Sequence, residues 1–209
     1  MPPQPIDPNA VFLNIPYDEE FRSLYVAYVV GLTQLGLVPH LASEIPGGSR
    51  RLDRILALIK RSRYSIHDLS RVEVSVGPPE APRFNMPLEL GMSIAWAELN
   101  PDLHTWFVWE SEPYRIQRST SDLNGTDANI HQGTVQGVLS GLRSSFWREN
   151  APSVQEMLGV HGYVEAILTL LILPGAGTRD LYSIGVFAEL RIVCARLSQL
   201  QRSQQAPHP

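Results

Sequence analysis

The sequence predicts an α/β layered fold with a mainly parallel central sheet. Three observations predict it. Short apolar runs ("AVFLNI", "LVPHLAS", "YSIHDLS", "LHTWFVWE") alternate with longer stretches whose apolar residues recur at helical spacing. Turn-rich segments such as "EIPGGS" and "RVEVSVGPPEAPRF" separate them. Apolar residues make up 44% and charged residues 18% of the 209 residues, an ordinary globular composition with enough material for a core.

The elements follow in order. "AVFLNI" is a short apolar run ending at Pro16, a first strand. In "DEEFRSLYVAYVVGLTQLG" acidic residues open the first turn and Gly36 follows the last periodic residue, which delimits a helix. Its apolar positions go all the way round, so burial between layers is expected. "LVPHLAS" is a second strand, and Pro39 suits it to a sheet edge. "RRLDRILALIKRSR" carries Leu52, Ile55, Leu56 and Ile59 at helical spacing, with its basic residues on a solvated face. "YSIHDLS" is a third strand ending near Asp68, "MPLELGMSIAWAEL" a helix, and "LHTWFVWE" a strand. Trp106 and Trp109 are placed on one face of that strand, as core. "SEPYRIQRSTSDLNGTDANIH" is polar and turn-rich, with room for one more short strand. "QGTVQGVLSGLRSSFW" is a helix, and two further helices after Pro152 are joined by "PGAGT". The expected organisation is a disordered arm over 1–9, an α/β domain over 10–150, a helical hairpin over 151–203 and a tail over 204–209.

Several function classes are disfavoured. A net charge of −4 and a pI near 5.9 oppose non-specific nucleic-acid binding. The longest apolar run, "AILTLLIL", falls far short of the about 20 residues that span a bilayer. No zinc-ligand spacing links the histidines, "PGAGT" lacks the Lys-Ser/Thr of a P-loop, and no GxSxG is present. Neither a metal nor a resident cofactor is expected. Cys194, the only cysteine, rules out an internal disulfide; it reads as a buried thiol and fits a reducing, cytoplasmic setting.

In parallel sheets ligands bind beyond the C-terminal strand ends. That rule selects "NIPYDEE", "HDLSR" and the loop into "NMPLELG". In the helix after Pro87, only Glu89, Ser93 and Glu98 interrupt an apolar surface. Glu89 and Ser93 are four apart and share one face. A carboxylate here is favoured in its ionised form by the helix dipole and opposed by partial burial. The competing role is capping. With Met86 as N-cap, Pro87 takes the first helical position and Glu89 the third, where it bonds back to the cap. Asp68 likewise either caps its own turn or meets Glu89 over one small ligand, a pair able to divide nucleophile and acid duties at a sugar carbon. His67 is read as a packed polar tip or a ligand contact.

"SIHDLS" followed by "FNMPLELGMSIA" resembles the paired motif of the nucleoside 2-deoxyribosyltransferase-like superfamily, and "VFLNIPYDEEF" looks like that superfamily's first strand and ligand-side loop. The resemblance covers roughly residues 10–146. It implies a flavodoxin-like fold related to TIR domains, and a reaction in which a helix glutamate attacks the anomeric carbon. Glu89 would then be the nucleophile. Asp68 would bind the sugar or assist the leaving base, and Asn85 would orient the ligand or Glu89. Asn14, Tyr17, Asp18 and Ser93 would line the pocket. Asp122, Asn124 and Asp127 in "DLNGTD" either form a turn or close over the ligand. The long loop after Asp68 and the C-terminal helices depart from the pattern, and the helices would serve as a dimer surface or a regulatory cap.

Three expectations follow. The first is an N-glycosidase or N-glycosyl transferase acting on a nucleoside, nucleotide or NAD. The second is a sensor of a nucleotide-derived ligand without turnover. The third is an oligomeric scaffold with a vestigial pocket. A homo-oligomer with a small-molecule nucleoside or nucleotide ligand is the expected assembly.

Overall fold

A computed structural model describes residues 6–44, 50–73, 81–171 and 181–205. The "PGAGT" connection, most of "EIPGGS" and most of the Pro-rich loop before Ala81 lie outside the described residues, as do the chain's first five and last four residues.

The chain groups into two compact units. One comprises Met1–Pro16 and Val38–Gly133, the other Tyr17–Leu37 and Thr134–Pro209. This differs from a division at residue 150. The first long helix and the one after Thr134 group with the C-terminal helices instead.

The first unit holds a five-stranded, all-parallel sheet. Its strands are β1 (Asp7–Asn14), β2 (Val38–Leu41), β3 (Ser62–Asp68), β4 (Thr105–Glu110) and β5 (Asn129–Ile130). Their order is β2-β1-β3-β4-β5, the flavodoxin-like arrangement, so the expected α/β class holds. Strand β1 starts at Asp7, three residues before its apolar run, with a register irregularity between Asp7 and Val11. Pro39 lies in the edge strand β2, where a missing ladder N–H costs least.

Helix α2 (Arg51–Arg61) buries Ile55, Leu58 and Ile59, which cluster with Phe12 and Ala42. Leu52, expected on the apolar face, remains 46% exposed, whereas Leu58, outside the expected set, is fully buried. Helix α3 (Asn85–Leu99) buries Met86 and Leu90 against Leu69, Val72, Val108 and Ile116. Ile116 belongs to the short helix α4 (Ile116–Ser119). Trp106 packs on this cluster while Trp109 is fully buried elsewhere. Positions three apart on a strand point to opposite faces, so the two indoles do not share one.

The second unit is helical. It contains α1 (Arg22–Gln34), α5 (Val135–Ser145), α6 (Val154–Leu171) and α7 (Ile184–Gln205). From Leu24 to Gln34 every residue of α1 is buried. A helix apolar all round needs neighbours all round, and α5, α6 and α7 surround it. At Gly31 a Cβ would sit 2.6 Å from Leu142 Cδ1 and 2.9 Å from Leu139 Cδ2, so the missing side chain lets α1 and α5 close up. Gly36 ends α1 at φ +75°, where a left-handed cap favours glycine. Cys194 is buried in α7, and burial pushes its thiol up to about 12, which leaves it unreactive. No described helix is long and apolar enough to cross a membrane.

Candidate active site

The order of strands reverses at β1, so the switch point lies between the C-terminal ends of β1 and β3. Its floor is a buried polar chain. Asn14 Nδ2 donates to the carbonyl of Met86 at 2.9 Å and lies 3.0 Å from His67 Nδ1. An amide nitrogen has only protons to offer, so Nδ1 accepts and the ring proton sits on Nε2. Nε2 then donates to Ser93 Oγ at 3.0 Å. Burial, with His104 nearby, lowers the His67 pKa to about 3, so the ring is neutral at physiological pH. These bonds tie β1, β3 and α3 together. His67 is thus a packed histidine, and Asn14 and Ser93, expected on a ligand, are its partners.

Glu89 sits at the edge of this floor with 3% exposure. Helix α3 starts at Asn85 with Phe84 as cap residue, so Pro87 is its third residue and Glu89 its fifth. That is two residues beyond the third position, from which a glutamate bonds back to the cap. Its partners are Asn85 Nδ2 at 3.4 Å and Arg51 Nη2 at 3.9 Å, both long contacts. Burial raises its pKa above 4.5, and Asn85 and Arg51 pull against that rise.

Asp68 is fully buried at the end of β3. Its Oδ1 accepts from the Ser70 amide at 3.0 Å and the Ser70 hydroxyl at 2.6 Å, so it does hold its own turn. Its Oδ2 lies 3.2 Å from His131 Nε2, off the line of a good hydrogen bond. Gly133 N donates to His131 Nδ1 at 3.0 Å, which directs the ring proton to Nε2, toward the carboxylate. Glu110, ending β4, is 1% exposed with Arg115 Nε 3.9 Å away. Burial raises its pKa to about 7, with Arg115 the strongest opposing influence. His131, Glu110, Arg115 and Arg51 were not among the residues expected from the sequence. For Glu110 and His131 the one signal there was position, since "WE" and "NIH" close the last two strands.

Register separates the two carboxylates first singled out. Asn14, His67 and Val108 pair across the sheet and face α3. Asp68 is the next residue on β3, so it leaves the sheet on the opposite face. Glu89 belongs to the α3 side. A ligand touching both must therefore lie over the end of β3.

Asn85 is exposed beside Glu89. Asp122, Asn124 and Asp127 are exposed in a turn closed by Asn124 N to Ser121 O and Thr126 N to Leu123 O, with Gly125 at φ +94°. Tyr17 and Asp18 belong to the helical unit. Tyr17 stacks on Tyr182 at 4.9 Å, and Asp18 caps the turn before α1 by accepting from Phe21 N at 3.0 Å.

Compared with known proteins, the chain matches no protein-family model, and no curated protein matches it either.

Proposed function

We propose that the chain cleaves or transfers the N-glycosidic bond of a nucleoside, a nucleotide or NAD, with Glu89 as the attacking carboxylate. One observation carries this: Glu89 is a buried carboxylate, free of any capping duty, held by two long contacts at the ligand-binding end of a parallel sheet. Burial of a poorly partnered charge costs stability, and such costs concentrate at functional sites. The resemblance of "FNMPLELGMSIA" to the superfamily's motif supports the same residue.

In the proposed step a Glu89 oxygen bonds to the anomeric carbon, the carbon–nitrogen bond breaks, and its electron pair leaves with the base. Water or a second base then attacks the same carbon and frees Glu89. Asn85 and Arg51 orient Glu89 and favour its ionised form. Asp68, backed by His131, is the acid or sugar-binding group reached over the end of β3. A reducing, cytoplasmic setting agrees with the lone buried thiol.

A second reading is a ligand sensor without turnover. The opposite facing of Asp68 and Glu89 favours it, because paired acid and nucleophile duties need both at one carbon. Incubation with nucleosides, nucleotides and NAD separates the two. The enzyme releases free base, seen by chromatography, whereas a sensor gains thermal stability with the same ligands and releases none. Neither response in the whole panel contradicts both.

A further inference from the structure

The helical unit holds a cavity of about 330 Å³. It forms where α1 ends. Gln34 closes that helix and Leu35 follows it, the turn 148–152 leads from α5 to α6, Glu156 lies in the first turn of α6, and Ser198 belongs to α7. Clefts that hold small molecules run from about 300 to 1,000 Å³, so an occupant here is small.

The walls are held in place. Ala151 N donates to Arg148 O at 3.1 Å, and Arg143 Nε donates to Pro152 O at 3.0 Å, which pins the turn. Glu156 Oε2 accepts from the Ser153 amide and hydroxyl, both at 2.7 Å. Gly36 leaves room for Arg148, because a Cβ there would lie 3.5 Å from Nη1.

One wall residue points to a ligand. Gln34 is 3% exposed, and its Nε2 has no hydrogen-bond partner among the described residues. A buried donor left unmade is costly, and native chains keep few of them. Gln34 has no capping duty to explain it, since the end of α1 closes through backbone bonds from Leu35, Gly36 and Leu37. Ser198 brings a second buried polar group to the cavity. The exposed Arg148 and Glu149 bring one charge of each sign, and neither side chain is hydrogen-bonded or ion-paired among the described residues.

We propose that this cavity binds a free α-amino acid. The ligand's carboxylate takes the two donors, the Arg148 fork and the Gln34 amide, and its ammonium takes the Glu149 carboxylate. A simple anion would meet Glu149 and Glu156 as like charges. A simple amine would leave the Gln34 donor unmet. A zwitterion answers both. Leu35 and Pro152 offer its side chain an apolar wall. Glu149 and Glu156 outnumber Arg148, so a basic side chain is favoured and an acidic one opposed. The proposal is independent of the glycosidic one.

Isothermal titration calorimetry of the full chain against each of the twenty amino acids, at millimolar concentration, is the test. Lysine or arginine should bind at least tenfold tighter than aspartate or glutamate. Acetylating the amine or amidating the carboxylate of the tightest binder should each weaken it at least tenfold. Arg148→Ala and Glu149→Gln should do the same and keep the wild-type circular dichroism, because both positions are exposed. Gln34→Leu separates a ligand role from a structural one. It should weaken binding at least tenfold and leave resistance to urea unchanged or higher, since the unmet donor is gone. Glu189→Gln, at an exposed site of α7 outside the cavity, should bind as wild type does. Absence of binding by all twenty, blocked derivatives or acetate binding as tightly as the free amino acid, or acidic amino acids binding as tightly as basic ones would each overturn the proposal. So would binding that survives both Arg148→Ala and Glu149→Gln, or a Gln34→Leu chain that unfolds more easily and binds normally.

Discussion

Replacing Glu110 by glutamine should make the chain more stable, and only above mildly acidic pH. Glu110 is 1% exposed at the end of β4, and burial lifts its carboxyl from 4.5 to about 7. Arg115 and the Ser111 amide hold the rise back, Asp68 adds to it, and His131 opposes it. Between those two values the folded chain keeps a proton that the unfolded chain has released. The stabilisation is therefore fully present below 4.5, is lost as pH rises to about 7, and stays lost above. At about 1.4 kcal/mol per pH unit the loss is about 3 kcal/mol, and coupling to Asp68 and His131 brings the expected figure to about 2–3 kcal/mol. Glutamine keeps an acceptor for the Ser111 amide, which lies 3.0 Å from Oε2. Arg115 keeps Ser111 Oγ at 3.4 Å and Glu73 at 3.7 Å. Urea unfolding followed by tryptophan fluorescence is the assay, with the fully buried Trp109 adjacent to the change. Variant and wild type should coincide at pH 4.5 and differ by about 2–3 kcal/mol at pH 8. A difference that is constant across that range, or a glutamine variant less stable at pH 8, refutes the reasoning.

Three further changes test the framework by the same unfolding measurement. Ser93→Ala strands the buried Nε2–H of His67 and should cost about 1–3 kcal/mol; unchanged stability would mean that the bond contributes nothing. Gly31→Val drives a Cβ into Leu142 and Leu139, and should cost roughly 1–3 kcal/mol, a loss absent if α1 and α5 simply move apart. Gly36→Ala strains a left-handed residue at φ +75° and should cost about 1 kcal/mol, and no loss there would contradict the cap.

Strand and helix order was legible because period and turn chemistry are local. The edge position of β2 followed from Pro39, and the all-round burial of α1 from its all-round apolar surface. The grouping of the helices was not legible, since nothing in α1 itself names α5, α6 and α7 as its neighbours. At the site, Asp68 and Glu89 stood out because a carboxylate in an apolar run is conspicuous. Their separation did not, because it depends on pleat: His67 and Asp68 are adjacent, and only register shows which of them faces α3. The two tryptophans of β4 went astray for the same reason. The depth of Glu89 in its helix was hidden by Pro87, which the helix accepts as its third residue rather than its first. His131 and Glu110 were missed because each is a lone polar residue at a strand end, and their meeting with Asp68 and Arg115 is made by the sheet.

The most direct test is the rate of base release by wild type and Glu89→Gln, run together on whichever nucleoside, nucleotide or NAD is cleaved. The substitution keeps the size of the side chain and removes its nucleophilicity, so a loss on the order of a thousandfold is expected, without loss of ligand-induced thermal stabilisation. A variant that releases base at the wild-type rate would show that Glu89 attacks nothing, and the account of this site would fail there.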